Sequence, residues 1–469
     1  MGDQNAVSRR GFLAGAATLV AAAGCGPQAA PSQNQATLQT PRAGRILLKG
    51  GCVLSLDRQL GDFDTADVLI DGSKIAAVGP NLTSDAELVD ATGTIVMPGF
   101  VDTHRHMWQG ALRNILPDGL LTDYGREITG TARAIFRPED AHAGDLVSAL
   151  GAINAGVTTV LDWSHIGNSP EHTDAAIDGL RESGIRAVYG FGGGVGSASR
   201  FPDDIGRLRK EYFSSADQLL TLAMATTANP RDWALAREVG ASISLHAGGS
   251  LAGVAGVMGP DVTYIHCITF TDEAWKRVAD TGGHVSIACP IEMEMGHGVP
   301  PILQTLAHGI RPSLSVDVET QMPGDFFTQM RAVFTLQRML ALERRRAGDA
   351  NAPPLLTVRD VVEFGTIAGA RANQLDDRIG TLTPGKEADV VMLRADAINV
   401  LPLNNAYGAV VLAMDTSNVD TVFIGGRLRK RQGQLVDVDL TRVRRLAGQS
   451  RDYVVSKAGW RGSVAGGTL

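Results

Sequence analysis

The chain has 469 residues, of which 44% are hydrophobic and 20% are charged, and its formal net charge is −7. This composition can supply a large apolar core and is typical of a globular enzyme, not of a disordered chain. An acidic balance without a basic stripe lacks the electrostatic footprint of a nucleic-acid-binding protein, so we expect no nucleic-acid partner.

The chain starts with what reads as an export signal. The run from Ser8 to Leu13 (SRRGFL) resembles a twin-arginine signal, and the apolar run after it ends at Gly24, too short to span a bilayer. We expect residues 1–25 to be read by the twin-arginine translocase and the protein to be exported to a periplasmic or other extracytoplasmic space. The residues before Cys25 also resemble a lipoprotein cleavage site, which leaves lipid anchoring and simple release both open.

A flexible linker is predicted over residues 26–42, which are rich in Pro, Gln, Ala and Ser. A membrane contact is expected only through a lipid on Cys25. Residues 43–97 consist of short apolar runs separated by Gly, Asp and Asn, and the same pattern occurs again over residues 385–436. Neither part has enough apolar faces for a core of its own, so we predict one composite β-sandwich built from both segments. A helix and a Gly-rich tail are expected over 437–469.

The segment from residue 98 to 384 alternates apolar strand candidates with stretches of helical length. Eight such strands argue for an α/β fold of the (β/α)8 TIM-barrel type. An open doubly wound sheet is the alternative, but no dinucleotide-binding fingerprint follows any strand. The predicted strands are 100–104, 158–163, 185–191, 219–224, 241–246, 262–266, 284–288 and 311–317.

Polar side chains that ligate metals stand at the ends of several of these strands. His104 and His106 end the first strand and, at positions i and i+2, point to the same face. His246 ends the fifth strand, His266 the sixth and Asp317 the eighth. Because active sites of such barrels are built at the carboxyl ends of the strands, we expect these side chains to meet. Imidazoles with one carboxylate suit a divalent metal, zinc or iron, with one position open for water.

The run from Pro98 to His106 (PGFVDTHRH) closely resembles the first-strand metal motif of the amidohydrolase superfamily. The resemblance extends over nearly all of residues 44–430. Three further segments resemble the branch that holds cytosine, adenosylhomocysteine and triazine-type aminohydrolases: 264–273 (YIHCITFTDE), 286–290 (SIACP) and 326–332 (FFTQMRA). Segment 380–389 (GTLTPGKEAD) resembles the place where those chains leave the barrel and rejoin the sandwich.

The resemblance implies a role for each strand-end residue. It makes His104, His106, His246 and Asp317 the ligands of one divalent metal, since no strand-end Lys matches the fourth strand of two-metal members. It makes His266 the group that polarises the substrate. Asp317 is expected to act twice, because a carboxylate that touches both metal and water can also carry the proton to the leaving nitrogen.

The chain departs from this branch after the fifth strand. Members usually carry His-x-x-Glu there, with the Glu shuttling protons to the departing amine, but this chain reads His246-Ala-Gly-Gly249. Glu292, in the segment after the seventh strand, is our candidate to reach inward and replace it. Trp108, Gln109 and Trp163 follow the first and second strands and are expected, with His266, to contact substrate. His165 is expected to face the pocket beside Trp163. The stretch from Gly110 to Pro138 is expected to fold over the site.

These patterns predict a metal-dependent hydrolase of a non-peptide carbon–nitrogen bond in a small nitrogen-containing substrate, for which a cyclic compound is expected. One alternative is a ring-opening hydrolase of a cyclic amide or lactam, of the imidazolonepropionase kind, which the missing fifth-strand Glu keeps open. An alternative of another class is an extracytoplasmic ligand-binding protein without catalysis, against which the intact set of strand-end residues argues. A homodimer is expected.

Overall fold

A computed structural model describes residues 44–215 and 217–461. The predicted export signal, Cys25 and the linker lie outside the described residues. In the described chain none of the helices is both long enough and apolar enough to cross a membrane.

Seventeen strands occur in the described residues, in three groups along the chain. Five come before the barrel: β1 (Arg45–Val53), β2 (Phe63–Asp71), β3 (Lys74–Gly79), β4 (Glu87–Asp90) and β5 (Thr94–Pro98). Eight belong to it: β6 (Phe100–Arg105), β7 (Val157–Gly167), β8 (Arg186–Gly193), β9 (Leu220–Thr226), β10 (Ser242–Gly249), β11 (Val262–Phe270), β12 (His284–Ile287) and β13 (Ser313–Leu314). Four come after it: β14 (Val390–Arg394), β15 (Val419–Ile424), β16 (Arg427–Arg431) and β17 (Gln434–Leu435).

The α-helices lie mainly between the barrel strands. They are α1 (Leu121–Tyr124), α2 (Arg133–Ile135), α3 (Pro138–Asn154), α4 (Pro170–Ser183), α5 (Ile205–Glu211), α6 (Pro230–Glu238), α7 (Asp272–Asp280), α8 (Cys289–Glu294), α9 (Ile302–Ala307), α10 (Phe326–Arg346), α11 (Val358–Glu363), α12 (Gly369–Ala372), α13 (Ala406–Gly408) and α14 (Leu440–Ala458). Segments of π-helix cover Gly125–Ala132, Phe364–Ala368 and Ala409–Ala413, and short 3-10 turns cover Met107–Leu112, Ala252–Val254 and Thr416–Asn418.

The predicted (β/α)8 barrel is confirmed. Strands β6 to β13 pair in chain order, and every pairing is parallel. The barrel closes where Arg105 of β6 forms a parallel bridge with Asp317, three residues beyond β13. Strands such as β6 and β7 are buried along nearly their whole length, because helices cover one face and side chains fill the interior from the other.

Helix α7 illustrates how the local sequence sets the helices that cover the barrel. The Thr271 hydroxyl accepts a hydrogen bond from the Ala274 N–H and so caps the first turn, where Asp272 and Glu273 complement the helix dipole. Trp275 and Val278, three residues apart, bury one face against the barrel.

Both ends of the described chain form one mixed sheet. Its strand order is β17-β16-β15-β14-β5-β1-β2-β3, with β4 paired to β1. Strand β5 lies parallel to β1 and antiparallel to β14, which joins the N-terminal and C-terminal halves through backbone hydrogen bonds. Val68 and Ile70 from the first half and Val390 and Phe423 from the second share one apolar cluster. The predicted β-domain from both ends is confirmed. The apolar runs 46–49 (ILLK) and 52–55 (CVLS) suggest two separate strands, but the structure forms one irregular strand, β1, over this stretch.

A buried ion cluster ties this sheet to the barrel. Arg186, the first residue of β8, is fully buried, and its Nε and Nη2 donate to the two carboxylate oxygens of Asp389 at 2.8 and 2.9 Å. The same guanidinium pairs with Glu387, which Arg378 also contacts through Nε at 2.9 Å. Arg186 therefore provides a cationic partner for Asp389 and Glu387, two carboxylates just before β14 that would otherwise be buried without one.

Removal of this arginine is expected to be strongly destabilising. Arg186→Met leaves Asp389 charged and buried, and we expect a loss of about 3–5 kcal/mol in the free energy of unfolding. Urea unfolding followed by circular dichroism measures it. The exposed Arg126, which pairs with Asp123 and Glu127 at the surface, gives the control Arg126→Met, for which a loss within about 1 kcal/mol is expected. Equal losses in the two variants would contradict the role of the cluster.

Candidate active site

Backbone closure of the barrel brings the first-strand and eighth-strand residues together. The Asp317 N–H donates to the His104 carbonyl at 2.9 Å, and the His106 N–H donates to the Asp317 carbonyl at 2.8 Å. His246 lies on β10, on the facing side of the barrel mouth. All four side chains stand at the carboxyl ends of the strands, where the sequence predicts them.

The four predicted ligands form one compact cluster. One donor atom from each of His104, His106, His246 and Asp317 can be chosen so that all lie within 4.8 Å of one another. The His104 Nε2 lies 3.0 Å from the Asp317 Oδ1 and 3.2 Å from the His246 Nε2. The His106 Nε2 lies 3.4 Å from the same carboxylate oxygen. His104, His106 and Asp317 are buried, whereas His246 is exposed, so the cluster opens toward solvent on one side.

The donor set and its surroundings fit a divalent metal. The His106 Nδ1 lies 2.9 Å from the Trp163 carbonyl, which accepts the N–H of that nitrogen and leaves the lone pair of Nε2 facing the cluster. Burial and the neighbouring imidazoles of His165 and His104 hold the pKa of His106 well below its usual value, so the ring is neutral, as a ligand must be. Three imidazole nitrogens and one carboxylate oxygen converging on an open side suit a divalent catalytic metal such as zinc.

The Asp317 carboxylate is held in its charged form. Burial alone would raise its pKa, but the hydrogen bond with His104 and the electrostatic interaction with the surrounding imidazoles outweigh burial and place the pKa well below its usual value. The backbone here is strained, with φ of +67° at Asp317 and +65° at His266. Such conformations cost about 1–3 kcal/mol each and persist where the surroundings fix them, as at functional sites.

Glu292 lies in contact with His266. It is the fourth residue of α8 and is completely buried, and its Oε1 lies 2.9 Å from the His266 Nδ1 and accepts the Ala288 N–H at 2.9 Å. On the other side of the ring, the His266 Nε2 lies 3.6 Å from the Asp317 Oδ2. Burial lowers the pKa of His266, but the hydrogen bond to Glu292 and the charge of Asp317 raise it above its usual value.

The predicted substrate-contacting residues lie around this cluster at different depths. The Trp163 ring is partly exposed, with its centroid 4.4 Å from that of His246 and 5.5 Å from that of His106. Trp108 is fully buried and packs edge-on against Phe136 at 4.8 Å. Gln109 is also buried, and its Nε2 donates to the Tyr124 hydroxyl at 2.6 Å. Their contact with substrate stays a prediction.

Two further residues of the site carry no clear local signal in the sequence. His297 lies between two glycines in what reads as a surface loop, yet its ring centroid lies 4.9 Å from that of His266 and its Nε2 is buried. Tyr124 lies in the segment expected to fold over the site, and its contact with Gln109 links that segment to the residues after His106. His165, expected to face the pocket, packs edge-on against His106 with a centroid distance of 4.3 Å.

Comparison with characterised proteins agrees with this architecture. The chain is 26% identical over 422 residues to a 5′-deoxyadenosine deaminase of Methanothermobacter thermautotrophicus, covering 83% of this chain and 94% of the relative. It is 28% identical over 429 residues to a 5-methylthioadenosine/S-adenosylhomocysteine deaminase of Pelotomaculum thermopropionicum, with 84% and 95% covered.

Solved structures show the same fold. An adenosine deaminase from Xanthomonas campestris with bound zinc superposes with a TM-score of 0.76 at 22% identity, covering 89% of this chain and all of that chain. An atrazine chlorohydrolase from Arthrobacter aurescens complexed with zinc gives a TM-score of 0.71 at 21% identity. The superposition covers 87% of this chain and all of that chain.

The model of the Amidohydrolase family matches residues 95–429, which include every strand of the barrel and the whole cluster. The predicted enzyme class, a hydrolase with a divalent metal at the mouth of a barrel, is thereby confirmed. This chain belongs to the Amidohydrolase family.

Proposed function

We propose that this protein hydrolyses a carbon–nitrogen bond, other than a peptide bond, in a small cyclic nitrogen compound and releases ammonia or an amine. The observation that carries the proposal is the convergence of His104, His106, His246 and Asp317 at the barrel mouth, with His266 beside Asp317. The printed activities of the two relatives, both deaminases of adenine-containing compounds, support an amino group on a heterocycle as the group lost. One metal ion, zinc or iron, is proposed.

The cluster assigns separate tasks to its residues. A divalent metal held by the three histidines and Asp317 would lower the pKa of a water molecule and so make it nucleophilic at neutral pH. The Asp317 carboxylate, which is held in its charged form and whose Oδ2 lies 3.6 Å from the His266 Nε2, accepts the proton of the attacking water. The hydrogen bond with Glu292 favours the protonated form of His266, which stabilises the negative charge that develops on the attacked group.

Glu292 acts in this scheme through His266. Its Oε1 is engaged by the His266 ring and by the Ala288 N–H, whereas its Oε2 is buried without a hydrogen-bond partner among the described residues. The carboxylate fixes the ring orientation and favours the protonated imidazole, which can donate a proton to the departing nitrogen. In this way the pair performs the task of the glutamate whose place is taken by Gly249.

Ring opening of a cyclic amide is the second candidate. Gly249, at the position where deaminating members of the branch carry the shuttle glutamate, is the observation that favours it. Release of free ammonia distinguishes deamination from ring opening. The alternative of a binding protein without catalysis is not favoured, since all ligands and His266 are present and in place.

Loss of one ligand is expected to abolish metal binding. Protein without residues 1–40 should contain about one equivalent of zinc or iron, and His246→Ala should lose most of it, because three donors remain and the open side is enlarged. Inductively coupled plasma mass spectrometry of the purified proteins measures this. His142→Ala removes an imidazole that pairs with Glu182 away from the cluster and should leave metal content unchanged. Metal-free protein after reconstitution with either metal would contradict the proposal.

Substitution of Glu292 is expected to slow turnover without removing the metal. Glu292→Gln keeps the shape but withdraws the charge, and we expect kcat to fall about 10- to 100-fold, the usual effect of losing a carboxylate partner of an active-site histidine. The pKa of His266 falls when the charge is withdrawn, so the alkaline limb of the pH–rate profile should move to lower pH. Glu294→Gln, on the same helix but exposed, is the control. An unchanged rate and profile would exclude the role of Glu292.

We further propose export by the twin-arginine translocase, on the sequence of residues 8–13 alone, with Cys25 as the site of lipidation or cleavage. Exchange of Arg9 and Arg10 for lysine should retain the full-length protein in the cytoplasm, because the translocase reads this pair. Cell fractionation and immunoblotting measure the distribution. Cys25→Ser distinguishes lipidation from simple cleavage. A protein anchored by a lipid on Cys25 should move from the membrane fraction to the soluble fraction in this variant, whereas a released protein should be soluble with or without the substitution. Export that continues in the double lysine variant would contradict the proposal.

A further inference from the structure

Arg133 carries an unpaired charge beside the proposed active site. It is the first residue of α2 and directly follows the π-helical segment Gly125–Ala132. Its Nε is buried without a hydrogen-bond partner, and within residues 44–215 and 217–461 no carboxylate forms an ion pair with it. Burial lowers its pKa. A partly buried guanidinium without an anion is costly, so it calls for a functional explanation.

Nearby arginines show the usual arrangement. Arg105, between the two ligand histidines, is fully buried, and its Nε donates to Asp102 at 2.8 Å. Arg113, after the 3-10 turn, donates from Nε to Glu319 at 2.9 Å. The protein therefore pairs its buried guanidinium groups in this region, with Arg133 as the exception.

The position of Arg133 is fixed by contacts with the ends of two barrel strands. Its carbonyl accepts a hydrogen bond from the Asn168 Nδ2 at 2.7 Å, directly after β7. The Asn168 Oδ1 accepts the Val195 N–H at 2.9 Å, in the loop after β8. The Asn168 side chain thus joins the helical segment to the rim of the barrel mouth, and the position of Arg133 does not depend on a free loop. Segments of π-helix inside helices are often found at functional sites.

Arg133 belongs to the segment that borders the metal cluster. Phe136, three residues further on, packs edge-on against Trp108 at 4.8 Å, and the Trp108 ring lies 5.4 Å from that of His165, which contacts His106 at 4.3 Å. Earlier in the segment, the Tyr124 hydroxyl accepts a hydrogen bond from Gln109, close to His106 in the chain. Tyr124 and His165 both interact electrostatically with Arg133 and with Asp317.

Other polar atoms around the cluster also lack partners among the described residues. They include the Gln109 Oε1, the Trp163 Nε1, the His297 Nε2 and the Glu292 Oε2, all buried. Buried polar groups in folded proteins nearly always have partners, and an unpaired set at one site is what a polar ligand would satisfy.

We propose that Arg133 binds a carboxylate of the substrate, so that the preferred substrate is a cyclic amine or amide that bears an acid group. This inference rests on the proposed function and names its substrate class. A guanidinium binds a carboxylate with two parallel hydrogen bonds, and one unpaired cation balances one negative charge. A phosphate monoester carries almost two negative charges at pH 7, which a single guanidinium balances only in part.

The test uses two compounds that differ in charge but hardly in shape, cytosine-5-carboxylate and cytosine-5-carboxamide. With metal-loaded protein, we expect kcat/KM for ammonia release, or the Kd from tryptophan fluorescence if neither is hydrolysed, to favour the carboxylate at least tenfold. Arg133→Met should remove this preference, and Arg133→Lys should restore part of it. Arg126→Met, an exposed position on the same segment, should keep it. Thermal unfolding confirms that each variant is folded.

The outcomes separate this inference from the proposed function. Ammonia release with no preference for the carboxylate, or a preference that survives Arg133→Met, overturns the inference and leaves the hydrolase intact. A carboxylate preference in binding that is lost in Arg133→Met, without hydrolysis of any heterocyclic amine or lactam, supports the inference and overturns the proposed function. Failure of the wild-type protein to bind or hydrolyse the carboxylate overturns the inference.

Discussion

The site depends on the closure of the barrel between β6 and the segment after β13. Two backbone hydrogen bonds join His104, His106 and Asp317 across this seam and hold three of the four proposed ligands next to one another. A buried ion pair on the same strand also stabilises the seam. Asp102 accepts the Val316 N–H at 3.2 Å and the Arg105 Nε–H at 2.8 Å, so it joins β6 to the segment that carries Asp317.

The residues of this site differ in how well the sequence predicts them, because different structural rules determine their positions. Strand alternation is strict, so His104 and His106 had to share a face, and parallel strands end together, so His246, His266 and Asp317 had to approach them. Glu292 does not follow a strand rule. Helix α8 begins two residues after β12 ends, and one turn returns its fourth residue to His266. Its burial could be proposed from the missing glutamate, but its partner could not.

The segment over the site is less predictable for a related reason. Tyr124 and Arg133 are nine positions apart in a stretch that is partly π-helical, and wider turns shift which side chains share a face. A pattern of 3.6 residues per turn therefore does not place both toward the mouth. Trp108 is a related case: a large aromatic residue after a metal motif suggests a substrate wall, and the structure buries its ring against Phe136. Tertiary packing decides these positions.

The glycine at position 249 and the unpaired Arg133 are connected through the charge of the site. In the proposed function, a divalent metal would be balanced by Asp317 and Glu292, and a protonated His266 together with Arg133 would leave an excess of positive charge. A glutamate at position 249 would reduce this excess and compete with an anionic substrate for it. With glycine there, the proposed substrate would supply the negative charge, and its acid group would pair with Arg133. Loss of the shuttle glutamate thus fits a site in which Glu292 and His266 carry the proton and the substrate brings the acid.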